Sequence, residues 1–164
     1  MDSKNYRHQK SRNRLEIGGF LFYNGIMIIF QYRREPAMWP YGDDEFFELK
    51  VDYTEENNVS IKDYGDYSTH TLPKESLLQI LALIQGNPKL IKMENLEQND
   101  NFDGEEYEFL FCDGLKSNKL FGFNIFDYDE GVPHPRVLLC MDTLFRVVEI
   151  LGENSINVTI KKKY

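Results

Sequence analysis

Phe46-Phe47-Glu48-Leu49-Lys50-Val51-Asp52-Tyr53 is the stretch on which the fold turns. Side chains of an extended chain alternate between two faces, so Phe47, Leu49, Val51 and Tyr53 share one side and Glu48, Lys50 and Asp52 the other. This pattern predicts a strand over 45–54 with one face in a core and one in water, the habit of antiparallel sheets. Working outward, Glu55–Asn58 reads as a turn into a second strand, Val59–Tyr64. Upstream, Leu15–Tyr23 and Ile26–Arg34 flank Asn24-Gly25, a pair that tolerates the positive φ of a type I′ turn, and so predict a hairpin. The run Ile26-Met27-Ile28-Ile29-Phe30 is apolar on both faces, which places its strand centrally.

Beyond residue 64 the period changes. A helix is expected from Thr69 or Thr71 as cap, through Pro73 in the first turn, to a stop at Gly86-Asn87-Pro88. Its body, Leu77–Ile84, is apolar nearly all round and must be well buried. A short strand near Lys89–Met93 follows, then an acidic loop to Gly104. Tyr107–Cys112 and Leu120–Phe126 predict another hairpin, with Phe121, Phe123 and Ile125 on one face and Gly122 marking a bulge or close backbone approach. A second helix starts at Pro135 or Asp142, with Asp142 the favoured cap, and ends at Gly152. Thr143, Arg146, Glu149 and Glu153 form its wet stripe. A last strand, Ile156–Lys162, turns Ile156, Val158 and Ile160 inward. The expected class is α+β: a largely antiparallel sheet, made of a β-hairpin and two ββαβ-like halves, with two helices packed on one face. Residues 1–13 hold little that is apolar and read as a flexible basic arm, leaving 14–164 as a single domain, in keeping with a length of 164 residues.

Charge is distributed unevenly. The net −8 resolves into +5 over residues 1–34, −16 over 35–160 and +3 from Lys161, Lys162 and Lys163. Residues 43–66 carry nine acids against Lys50 and Lys62, and 94–113 carry eight acids and no base. A body of this sign repels nucleic acid, although the arm (Arg7, Lys10, Arg12, Arg14) on its own suits phosphates. The same acidity attracts a basic protein. The apolar run 17–30 is shorter than a membrane span needs, Asn24-Gly25 interrupts it, and no small-residue cleavage site follows. Cys112 and Cys140 lie in apolar runs without metal-ligand spacing, as buried free thiols do in a reducing compartment. No membrane association and a cytoplasmic location are therefore expected. The abundance of Asn, Lys, Ile, Tyr and Phe suggests an AT-rich, bacterial genome.

Motifs of chemistry are sparse. Asn99-Asp100-Asn101-Phe102-Asp103-Gly104 resembles the first half of a calcium loop, but Leu110 stands where the closing Glu belongs, and the flanks read as strands. Asp127, Asp129 and His134, with Cys140 nearby, are the residues from which a small hydrolase or metal-dependent enzyme would be built. There is no Gly-x-Ser-x-Gly, phosphate-binding loop or dinucleotide fingerprint. The segment Met38-Trp39-Pro40-Tyr41-Gly42-Asp43-Asp44-Glu45 sets two interface-type aromatics beside three acids. Its alternative use is as a plug for the core edge.

The residues thus point to a non-enzymatic acidic binding or inhibitor protein without cofactor, of toxin-immunity type, that covers a basic surface such as that of a toxin nuclease. Its expected contact residues are Trp39, Tyr41, Asp43, Asp44, Glu45, Glu48, Glu94, Glu97, Asp100, Asp103, Glu105 and Glu106. The alternatives are the enzyme just described and a structural or assembly subunit that buries a sheet edge, with self-association possible.

Overall fold

The computed structural model describes residues 27–36, 46–54, 56–96, 104–126 and 133–160, together with the backbone of 14–17 and 20–23. The expected arm, 1–13, and the plug segment, 37–45, lie outside the described residues. Strands β1 (Arg14–Ile17) and β2 (Phe20–Tyr23) pair with each other in a two-stranded sheet. Six further strands, β3 (Ile28–Pro36), β4 (Phe47–Asp52), β5 (Val59–Asp63), β6 (Asp66–His70), β7 (Glu105–Cys112) and β8 (Ser117–Phe123), form an antiparallel sheet in the order β6-β5-β4-β3-β7-β8. Helices α1 (Lys74–Gln85), α2 (Lys89–Lys92) and α3 (Pro135–Glu153) complete an α+β fold, with the helices against one face.

The deciding stretch behaves as its alternation requires. Phe47, Leu49 and Val51 are buried along β4, while Glu48, Lys50 and Asp52 are half-exposed. β3 is central, flanked by β4 and β7, as a run that is apolar on both faces demands. Its register against β4 shifts between Ile28 and Phe30, and this irregularity lets consecutive residues Ile29 and Phe30 both be buried. The core is an aromatic layer on the helix side. Tyr32 lies 5.1 Å from Phe109, Phe109 stacks on Phe111 at 5.9 Å, and Phe30 meets Phe111 at 5.8 Å. Leu77, Ile80, Leu81 and Ile84 of α1 and Val137, Met141, Leu144, Val147 and Leu151 of α3 close over it. Asn58, only 1% exposed, ties the sheet to the lead-in of α1. Its Oδ1 accepts from the Leu72 amide at 2.6 Å and its Nδ2 donates to the Leu72 carbonyl at 3.0 Å.

Several expectations are corrected. Among the described residues β2 does not pair with β3, as a hairpin across Asn24-Gly25 requires; it pairs with β1, where Ile17 faces Phe20, and both edges of β3 are taken by β4 and β7. Lys89–Met93 is not a strand but the short helix α2, because Pro88 supplies a helical φ of −57° and Met93 donates back to the Lys89 carbonyl. Residues 156–160 belong to no ladder, although Ile156 is buried and Val158 and Ile160 pack on the core. The two ββαβ halves therefore reduce to hairpins followed by helices. α1 has Pro73, not a threonine, at its N-cap, and α3 begins at Pro135 rather than Asp142. His134 Nδ1 accepts from the Arg136 amide, and Pro at the first helical position has no N–H to satisfy. Thr143, expected in the wet stripe, is buried and donates to the Leu139 carbonyl.

On β8 the expected shared face of Phe121, Phe123 and Ile125 does not hold. Leu120 and Gly122 point inward and Phe121 is 44% exposed. Ile125 is nonetheless buried, beyond Asn124 at a φ of 48°. Gly122 does permit a close approach, since a Cβ there would lie 2.2 Å from Ile125 Cγ2 and 2.9 Å from Leu96 Cβ. The hairpin β5–β6 was not expected. It turns on Tyr64 (φ 49°) and Gly65 (φ 92°), two positive φ values in succession, as a tight two-residue hairpin connection needs.

Candidate functional site

The face of the sheet opposite the helices carries the outward side chains in rungs fixed by register. One rung crosses all six strands as Tyr67, Lys62, Glu48, Arg33, Glu108 and Phe121. Its charges alternate, so each ionic group meets the opposite sign on the next strand, and aromatic rings close both ends. Phe46 lies beneath two of these cations. The Arg33 guanidinium is 4.7 Å and the Lys62 ammonium 4.0 Å from its ring centre.

One rung further along, the alternation fails. Glu35 of β3 stands opposite Glu106 of β7. Burial pushes the Glu106 carboxyl up from its ordinary range, the charge and hydrogen bond of Glu35 raise it further, and Arg33 opposes them. Arg33 is engaged with Glu35, Nη2 to Oε2 at 2.7 Å. Asp63 and Asp66, paired across the β5–β6 turn, add two more acids at this end of the sheet, since Asp63 also faces Phe47.

On the core side of the same end, Arg34 and Glu105 form a half-buried pair. Arg34 Nε is 3.7 Å from Glu105 Oε1, and Arg34 Nη2 donates to the Tyr64 hydroxyl at 2.7 Å. The Tyr107 hydroxyl donates to the other oxygen of Glu105. Burial pushes the hydroxyls of Tyr32 and Tyr107 well above the usual tyrosine range, so both remain protonated donors. Glu105 is positioned by Asn124, whose Oδ1 accepts from the Glu105 amide and whose own amide donates to the Glu105 carbonyl, both at 3.0 Å. Gly104 lies so close to the Asn124 side chain that a Cβ would overlap it.

Of the contact residues read from the sequence, Glu48 and Glu106 lie on neighbouring rungs of the outer face, while Glu105 turns to the core side of the same end, held by Arg34 and Tyr107. Glu94 is exposed but belongs to the outer edge of β8, where the following Asn95 accepts from the Phe121 amide and Leu96 donates to the Phe121 carbonyl. Trp39, Tyr41, Asp43, Asp44, Glu45, Glu97, Asp100 and Asp103 lie outside the described residues. The described residues that flank those segments on this side, Pro36, Phe46 and Gly104, adjoin β3, β4 and β7 at the acidic end. Glu35, Arg33 and Phe46 were not singled out from the sequence. Their signal is cross-strand register, which no single segment contains.

The residues of the enzymatic alternative are placed differently. Asp127 and Asp129 lie outside the described residues, while His134 caps α3. Cys140 is fully buried and burial pushes its thiol up to about 12, which leaves no thiolate at neutral pH. Among the described residues no group of three or more His, Cys, Asp or Glu is arranged to hold a metal ion, and no helix is long and apolar enough to cross a membrane. Neither a protein-family model nor a curated protein sequence matches this chain, so its function is read from the geometry of its own surface.

Proposed function

We propose that this chain is a non-enzymatic binding protein of toxin-immunity type, which covers a basic surface of a protein partner such as a toxin nuclease with the acidic end of its sheet. The observation that carries this reading is the Glu35–Glu106 rung, where two carboxylates oppose each other after a ladder of alternating charge. A cation supplied by a partner relieves that repulsion and completes the alternation. Phe121, 44% exposed at the end of the charged rung, provides apolar area of the kind found at interface anchors. Nuclease surfaces are cationic because they hold phosphates, and a carboxylate array can occupy the same positions.

The test is affinity capture from the native organism with the wild-type chain and the E35K/E106K variant, followed by association kinetics of the retained partner at low and high salt. The expected result is a basic protein held by the wild type. Its association rate should fall about tenfold or more as salt rises, and charge reversal should slow it comparably at low salt. On-rates indifferent to both salt and charge reversal would overturn the reading.

A further inference from the structure

A cavity of about 700 Å³ opens on the helix layer, between the α1–α2 junction and the start of α3. Its floor is apolar, formed by Pro88, Met93, Pro135 and Leu139, and Lys89, Lys92 and Arg136 also line it. Lys89 and Lys92 are three residues apart on α2, a spacing that puts both on one helix side. Neither has a carboxylate within salt-bridge distance among the described residues. Arg136 donates one N–H to the Asn95 carbonyl at 3.0 Å, which leaves further donors for a ligand.

The walls are built before any ligand arrives. Asn118 of β8 donates to the carbonyls of Leu90 (2.9 Å) and Met93 (3.0 Å), which holds α2 against the sheet. Asn87 donates to the Leu83 carbonyl at 3.1 Å and so secures the corner between α1 and α2. In the first turn of α3, Pro135 lacks an N–H and the Arg136 amide is taken by His134, so the site rests on the three side chains rather than on the helix end. Three cations around an apolar floor, in a chain of net charge −8, are the reverse of its general surface.

We infer that this cavity is a binding site for a small organic phosphate, with the dianionic head held by Lys89, Lys92 and Arg136 and an aryl or alkyl body on Met93, Leu139 and the two prolines. The volume is within the usual range for small-molecule sites, and an apolar lining with a few convergent polar groups is their common make-up. The site does not depend on the partner-binding reading, since its wall is tied to Asn118, at the opposite end of β8 from Phe123.

The experiment titrates the full chain with 1-naphthyl phosphate, with 1-naphthol and inorganic phosphate as separate arms, read by calorimetry and by backbone amide shifts. The expected result is saturable one-to-one binding, with shifts centred on residues 86–93 and 135–139. Each half-ligand should bind at least about tenfold more weakly than the ester, because each engages only part of the lining. The K89Q/K92Q variant, which alters exposed side chains only, should lose about tenfold or more in affinity for the ester and keep its circular dichroism. Failure to saturate, shifts centred elsewhere, or wild-type affinity in K89Q/K92Q would overturn the assignment. Inorganic phosphate binding as tightly as the ester would also overturn it.

Discussion

At the scale of single residues, two positions are most constrained by what surrounds them. Gly122 sits in β8 where any side chain would enter space held by Ile125 and Leu96. Gly122→Ala is expected to destabilise the fold by about 1–3 kcal/mol through overpacking, seen as a lower urea midpoint with an unchanged slope. Cys140 is constrained electrostatically. Burial moves its thiol from 9.0 up to about 12. Below pH 9 the thiol is protonated in both the folded and the unfolded chain and contributes no pH dependence. Above pH 9 the unfolded chain releases the proton while the folded chain retains it, so stability falls by up to about 1.4 kcal/mol per pH unit until about pH 12. Urea titrations from pH 8 to 11 should show this decline. Cys140→Ala should lower stability at pH 8 but flatten the part of the slope that begins near pH 9. An unchanged alkaline slope in the variant would refute the assignment.

At the scale of elements, the β5–β6 hairpin turns on Gly65 at a φ of 92°, a conformation any Cβ strains. Gly65→Ala should cost about 1 kcal/mol or more and raise amide exchange in residues 59–70 before the rest of the sheet. This hairpin also shows where sequence reading reaches its limit. β4 was legible because its burial alternates residue by residue, and β3 because its apolar run has only one comfortable place, inside a sheet. β6 was not, because Asp66–Thr69 are all exposed and leave no periodic trace. Of the two starts open to α3, Asp142 is the more legible and Pro135 the actual one, because a histidine cap lacks the usual Ser, Thr, Asp or Asn signature. Lys89–Met93 reads as a strand because so few residues cannot separate a period of two from one of 3.6. Of the site, Glu48, Glu105 and Glu106 were legible as members of acidic runs. Glu35, flanked in sequence by Arg34 and Pro36, became visible only when register brought it against Glu106.

Across the whole molecule, charge is sorted by place as well as by quantity. Glu35, Asp63, Asp66, Glu105 and Glu106 gather at one end of the sheet, and Lys89, Lys92 and Arg136 gather around a cavity on the helix layer. Like charges facing each other at one end repel, which gives a prediction for Glu106. Its carboxyl is raised in the folded state, so its contribution is most favourable at low pH and is lost as pH rises through the carboxylate range. Glu106→Gln should therefore leave the protein as stable at pH 7 or more stable, by a few tenths of a kcal/mol after solvent screening. The same change should slow association with a basic partner. A variant weakened in both respects would show that Glu106 serves the fold rather than the surface.

The place of β3 has a consequence in time. Its first neighbour, β4, follows closely in the chain, but its second, β7, pairs Phe30 with Phe111 only after β5, β6, α1 and α2 have intervened. Closing so long a loop carries an entropic penalty that the local hairpins do not face, so the β3–β7 junction belongs late in folding. Until then the apolar strand presents an open edge to any other chain, and Arg33, Arg34 and Glu35 are the charged residues along it.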